Sequence, residues 1–346
     1  MKTLAKWYKW ILLAVIFQFC GLLYVNNVFL NTNVTVSIKD ANVSKEVMTG
    51  DLKVPGAAMN VSMSYNAEFS AYLLDGVLHI INVDSNDDKG VSGSGKDKIT
   101  YFRWLPDRNM VIFSSNTRDG KKGTVQISTY EPDSDTLRDY PQIDGLTAES
   151  QIMDIELSQY TNVVYAKIKT SDSKSKIIRF NVMSQYAHVM NLGAEALIKE
   201  CSFVNKLVYQ NEGEAVYIYD GINKTKNKVP IDSDNVRVLD IDLNDVLYVG
   251  ILDSSGNITK IYHQKIGDEK LTDEWTKVDL KTAISPKNII ISGNGNIYSN
   301  DTEENKIINL ANNLKASYRG DFVEVLDGAL VSKDENKVII TSLKEY

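Results

Sequence analysis

From about residue 69 to its end, the sequence repeats one pattern. A short β-rich run closes near an aromatic residue, a polar turn follows, and a second β-rich run comes after it. The aromatics are Tyr72, Phe113, Tyr165, Tyr209, Tyr248 and Tyr298, at successive spacings of 41, 52, 44, 39 and 50 residues. A seventh copy, at 328–332, lacks the aromatic and places Val331 33 residues beyond Tyr298. The second runs lie at 77–83, 124–130, 176–182, 215–220, 260–266, 306–310 and 337–342. Many alternate apolar with polar residues, as half-buried antiparallel strands do. Asp75-Gly76, Asp119-Gly120 and Ser255-Gly256-Asn257 supply hairpin turn chemistry.

A repeat that cannot bury its own apolar face must stack on its neighbours. A period of about 40–50 residues with four strands per copy is the arithmetic of a β-propeller. The expected fold is therefore all-β, with seven four-stranded blades over 57–346. Six blades is the alternative, because the last two copies are short. The final copy stops after its third strand, so its edge needs a partner. A strand from within 34–52, in a stalk at 31–56, is expected to close the ring.

The N-terminus predicts a membrane anchor. No charged residue occurs between Lys9 and Lys39, and residues 10–25 are almost wholly apolar. About 20 helical residues span the hydrocarbon core. Residues 1–9 carry Lys2, Lys6 and Lys9 and no acid, which places them in the cytoplasm and the rest outside. A cleaved signal peptide needs small residues at its cleavage site, and the run from Tyr24 to Asn33 has none. A lipidated cysteine also needs small residues before it, whereas Cys20 follows Phe17-Gln18-Phe19. The expectation is an uncleaved, single-pass signal anchor at 10–30, carrying an extracytoplasmic domain at the cell membrane.

Charge and composition exclude several classes. The net charge is −7, and without Lys2, Lys6 and Lys9 the outer part carries −10. Its densest basic group, Lys224, Lys226 and Lys228, flanks a turn, so no stripe exists to hold a nucleic-acid backbone. Two cysteines exclude a disulfide scaffold or a cysteine-built zinc site. Cys201, beside an apolar run, reads as a buried small residue. The Lys/Asn/Ile/Asp-rich usage points to a low-GC Gram-positive bacterium.

Tyr101-Phe-Arg-Trp-Leu-Pro-Asp107, followed by Met110-Val-Ile-Phe113, resembles the W-S-P-D-G…I-A-F pattern of TolB-like propellers. It also resembles the N-terminal propeller of dipeptidyl peptidase IV. Residues 72–83 are similar to the strand-turn-strand core of these WD-like repeats. Leu105 replaces the usual serine and Arg108 the usual glycine, and no other copy keeps the Pro-Asp pair. The resemblance implies a propeller used for binding or gating. In those families the peptidase chemistry sits in a separate hydrolase domain, which is not expected after Tyr346.

Three patterns mimic chemical sites. Residues 90–96 satisfy G-x-x-x-x-G-K, but Asp97 stands where Ser or Thr must hold magnesium, and a β-rich run follows instead of a helix. Asp84, Asn86 and Asp88 have calcium-loop spacing, but Lys89 occupies the glycine position and Gly95 that of the bidentate acid. A solvated acidic turn is expected there, with a weak calcium site as the alternative. Asp240, Asp242 and Asp245 alternate and read as turn and edge acids. His79, His188 and His263 adjoin no nucleophile pattern. No residue is assigned a catalytic, cofactor-binding or metal-ligating role, and neither cofactor nor nucleotide is expected.

The function expected is a protein-binding or scaffolding module at the cell envelope, acting on an envelope or membrane protein. One alternative is a regulatory subunit of a membrane complex. The other is a carbohydrate-active hydrolase or lyase, which would need several acids and an aromatic platform at one mouth of the channel.

Overall fold

The computed structural model describes residues 15, 17–19, 22, 50–93, 98–181, 183 and 185–343. The chain divides into units at 1–45 and 46–346. In the first, Val15, Phe17, Gln18, Phe19 and Leu22 are helical and exposed. Among the described residues no helix is long and apolar enough to cross a membrane. The span expected at 10–30 lies for the most part outside the described residues, as do the cytoplasmic stretch 1–9 and the stalk before Gly50.

The second unit is built of seven antiparallel sheets, which sets aside the six-blade alternative. Their first strands are Met59–Met63, Lys98–Trp104, Gln151–Leu157, Leu197–Glu200, Val236–Ile241, Ile289–Ile291 and Asp321–Leu326. These lie side by side around the axis, the seventh returning to the first. Blade two departs from four strands. Its outer position is split into Thr136–Asp139 and Ile143–Thr147, both paired with Lys122–Glu131. Pro141 lies in the break, where a residue without an N–H cannot continue the ladder.

Blade seven contributes Asp321–Leu326, Ala329–Asp334 and Lys337–Ser342, and Gly50–Lys53 completes it. The expected closing strand therefore exists, at the end of the predicted stretch and running one residue past it. Gly50 lies opposite Ile340 and Lys53 opposite Lys337. Leu52 packs with Val338 and Ile340 of this blade and with Met63, Tyr72 and Ile81 of blade one, joining the last blade to the first.

The recurring aromatics lie on second strands, each facing a residue of the third. Tyr72 stacks on His79 at 4.8 Å, Tyr248 on His263 at 5.2 Å and Tyr209 on Tyr217 at 5.6 Å. Two of the recurring hydroxyls tie blades together. Tyr165 donates to Asn205 Oδ1 of blade four at 3.2 Å, and Tyr248 to the Gly295 carbonyl of blade six at 3.2 Å. Gly295 has φ +84°, and a Cβ there would lie 2.6 Å from the Tyr248 hydroxyl. Close approach and backbone conformation both demand glycine.

Because neighbouring strands are antiparallel, the first-to-second and third-to-fourth loops of every blade emerge on one face, here termed the upper face. Gly50 enters at this face, level with the end of the third strand of blade seven.

Candidate functional site

Two regions bring together side chains from several blades. The first lies along the axis. Arg103 of blade two donates to Glu156 of blade three at 2.6 Å and lies 3.9 Å from Asp154. Lys199 of blade four is 3.6 Å from Glu156 and 3.0 Å from Asp240 of blade five. The Tyr101 hydroxyl donates to Asp154 at 2.9 Å.

Burial pushes Glu156 up, against the downward pull of Arg103 and Lys199. Burial lowers Lys199, but Asp240 and Glu156 outweigh it and hold the ammonium above its ordinary range. Glu200 is 7% exposed, and no side chain among the described residues bonds its oxygens. Burial, reinforced by Glu156, pushes its carboxyl far above the usual carboxylate range, against the downward pull of the Arg179 charge and the Ser158 backbone amide.

Arg103, Glu156, Lys199, Glu200 and Asp240 line a cavity of about 50 Å³. That admits a few waters and is too small for a sugar ring. The acids required by the carbohydrate-active alternative do converge, but Asp154, Glu156 and Asp240 are engaged by Arg103 and Lys199. The arrangement joins blades two to five by charge.

The second region is on the upper face. Tyr160, in the first-to-second loop of blade three, stacks on Phe203, in the same loop of blade four, at 4.3 Å and 16°. The rings are 63% and 49% exposed. Met183 and Ile222, in the third-to-fourth loops of these two blades, are 76% and 74% exposed.

The backbone beneath is fixed. Asp245 of blade five, 1% exposed, accepts the Ser202 and Phe203 amides, the latter at 2.9 Å. The Ser158 hydroxyl donates to the Ser202 carbonyl at 2.7 Å, and the Tyr160 amide to the same oxygen at 3.3 Å. Burial raises the Asp245 carboxyl, and the amides it accepts work the other way. Three blades thus hold one pair of rings.

The acids singled out in the sequence separate. Asp240 joins the axial ion pairs, Asp242 accepts the Asn244 and Val246 amides at 2.9 Å, and Asp245 is buried. The solvated-turn reading is corrected for both Asp242 and Asp245, which are buried, Asp242 on amides of its own turn and Asp245 on amides of the neighbouring blade. No local pattern announces the latter.

Asp88 is engaged by the Tyr72 hydroxyl at 2.6 Å and by His79 at 3.0 Å. The Asn82 side chain accepts the Asp84 and Ser85 amides, making the acidic run a capped turn. Gly90 lies in the outer strand of blade one, Ser94–Asp97 are outside the described residues, and the strand Lys98–Trp104 follows. Cys201 is fully buried, and burial pushes its thiol up. His188 meets Asn191 at 2.9 Å.

By sequence the chain matches no protein-family model and no curated protein. By structure it is similar to a chain in the crystal structure of the Mitotic Checkpoint Complex, with 13% identity and a TM-score of 0.55 over 86% of this chain and 95% of that one. It is also similar to the β-propeller domain of Myceliophteria thermophila Cps50 (Swd1), with 11% identity and a TM-score of 0.54 over 86% and 99%. The tricorn protease is similar at 12% identity and a TM-score of 0.54, over 84% of this chain and 34% of that one. These likenesses establish the propeller fold.

Proposed function

We propose that this chain is a membrane-anchored, extracytoplasmic propeller that binds and scaffolds other proteins at the cell envelope. The observation that carries the binding role is the Tyr160–Phe203 stack, two large rings kept exposed on loops that the fold makes rigid. Soluble surfaces seldom leave such apolar groups clustered unless a partner covers them. A similar ring occurs within an assembly, the Mitotic Checkpoint Complex.

The anchoring role is supported by the uncharged run after Lys9 and by the positive residues before it. The helical, exposed Val15, Phe17, Phe19 and Leu22 add to that support. Neither cofactor nor nucleotide enters this reading.

The test is in-cell cross-linking of the full-length tagged protein, followed by carbonate extraction, capture and mass spectrometry. The expected result is a carbonate-resistant membrane protein with one dominant protein partner, lost in the Tyr160→Ser/Phe203→Ser variant. A carbonate-soluble protein overturns the anchor, and no enriched protein partner overturns the scaffold.

A further inference from the structure

We propose that the upper face of blades three to five is a docking surface for a partner segment carrying apolar anchors beside basic residues. This rests on the protein-binding reading above and names the chemistry of the partner.

The four loops of blades three and four on this face, at 158–163, 181–185, 201–205 and 221–224, contain no acid and one base, Lys224. They present Tyr160, Met183, Phe203 and Ile222. Among the described residues, the opposite ends of the strands carry no comparable cluster: their turns present no exposed large apolar side chain, and Met59, which begins a strand there, stands apart from any other.

Next to this neutral centre, the blade-five loop at 266–275 carries Asp268, Glu269, Asp273 and Glu274, all exposed, against one base, Lys270. None of these four acids forms an ion pair among the described residues. The loop is held by the Lys206 ammonium of blade four, which donates to the Gly267 carbonyl and, at 3.1 Å, to that of Asp268. An apolar centre with a charged border is the anatomy of a protein interface. Here the border calls for positive charge on the partner. The same acids repel an anionic lipid surface and a second copy of this face.

The test places the photo-cross-linker p-benzoylphenylalanine at Tyr160 or Ile222 on the upper face, and at Ser173 or Glu212 on the opposite face. The full-length chain is used in its own cells, and cross-linked segments are identified by mass spectrometry. The expected result is upper-face adducts on a segment combining Lys or Arg with aromatic or aliphatic residues. Those adducts should be lost when Asp268→Lys, Glu269→Lys, Asp273→Lys and Glu274→Lys are combined, with thermal melting unchanged.

Protein adducts from Ser173 or Glu212 alone overturn this surface and leave the binding reading standing. Upper-face adducts on lipid or on a second copy overturn it as well, as does an upper-face segment without basic residues. No protein adduct from any position overturns both.

Discussion

A carboxylate that accepts two backbone amides holds its loop more firmly than a neutral side chain can, and Asp245 does this for Ser202 and Phe203. Asp245→Ala leaves two buried donors unpaired and is expected to cost about 3 kcal/mol in urea unfolding. Asp245→Asn keeps one acceptor oxygen and loses less. Glu324 of blade seven behaves differently. It accepts the Met63 amide of blade one at 2.6 Å and the Ser62 hydroxyl at 3.1 Å. Burial still prevails over these bonds and pushes its pKa up to about 7 from an ordinary 4.5. Between these values the folded chain keeps a proton that the unfolded chain has released. This contribution is therefore fully present below the unfolded value and is lost as pH rises through the folded one. Across that window stability should fall by about 3 kcal/mol at most. Urea midpoints measured from pH 4 to pH 8 report it, and Glu324→Gln should flatten this part of the profile.

At the scale of strands, the decisive element is the four-residue Gly50–Lys53, since without it the third strand of blade seven presents an unpaired edge. Leu52, 2% exposed, also bridges the apolar clusters of blades seven and one. Leu52→Ala should cost about 3 kcal/mol by cavity formation alone, read as a lowered urea midpoint. The repeat visible in the sequence belongs to this scale. Tyr72, Tyr165, Tyr209 and Tyr248 recur because a large side chain on the second strand fills the space between blades. The hydroxyls of Tyr72, Tyr165 and Tyr248 then find partners at the rim. Val331, where the seventh copy lacks an aromatic, is fully buried without one. The split fourth position of blade two lies within the longest aromatic spacing, the 52 residues from Phe113 to Tyr165, but spacing alone does not say that Pro141 breaks the ladder there.

Across the whole ring, charge links blades that share no strand pairing. Glu156, 7% exposed in its side chain, relies on Arg103 and Lys199 from the blades on either side. Arg103→Met should leave it undercompensated and cost about 3 kcal/mol. Combining Arg103→Met with Glu156→Met should recover most of that loss, since a matched apolar pair replaces a buried ion pair at little net cost. Denaturant unfolding of both variants and the parent decides it, and equal losses would mean that the ion pair is incidental. The network and the upper face also divide the labour. The small axial cavity is closed by paired charges, while the exposed rings sit on loops anchored from below.

The periodic aromatics and hairpin turns determined the propeller, its seven copies and the need for a strand from the N-terminal side, because these follow from local alternation and from unpaired edges. The acidic balance and the uncharged N-terminal run were equally legible as composition. What only the tertiary structure decided is which polar residues act together. Asp245 meets amides 42 and 43 positions earlier, and Arg103 meets a carboxylate 53 positions later. Tyr160 meets a ring from the neighbouring blade. Each repeat encodes its own strands, but a ring places side chains of successive repeats against one another. Their pairing depends on the angle and distance between blades, which no single repeat contains.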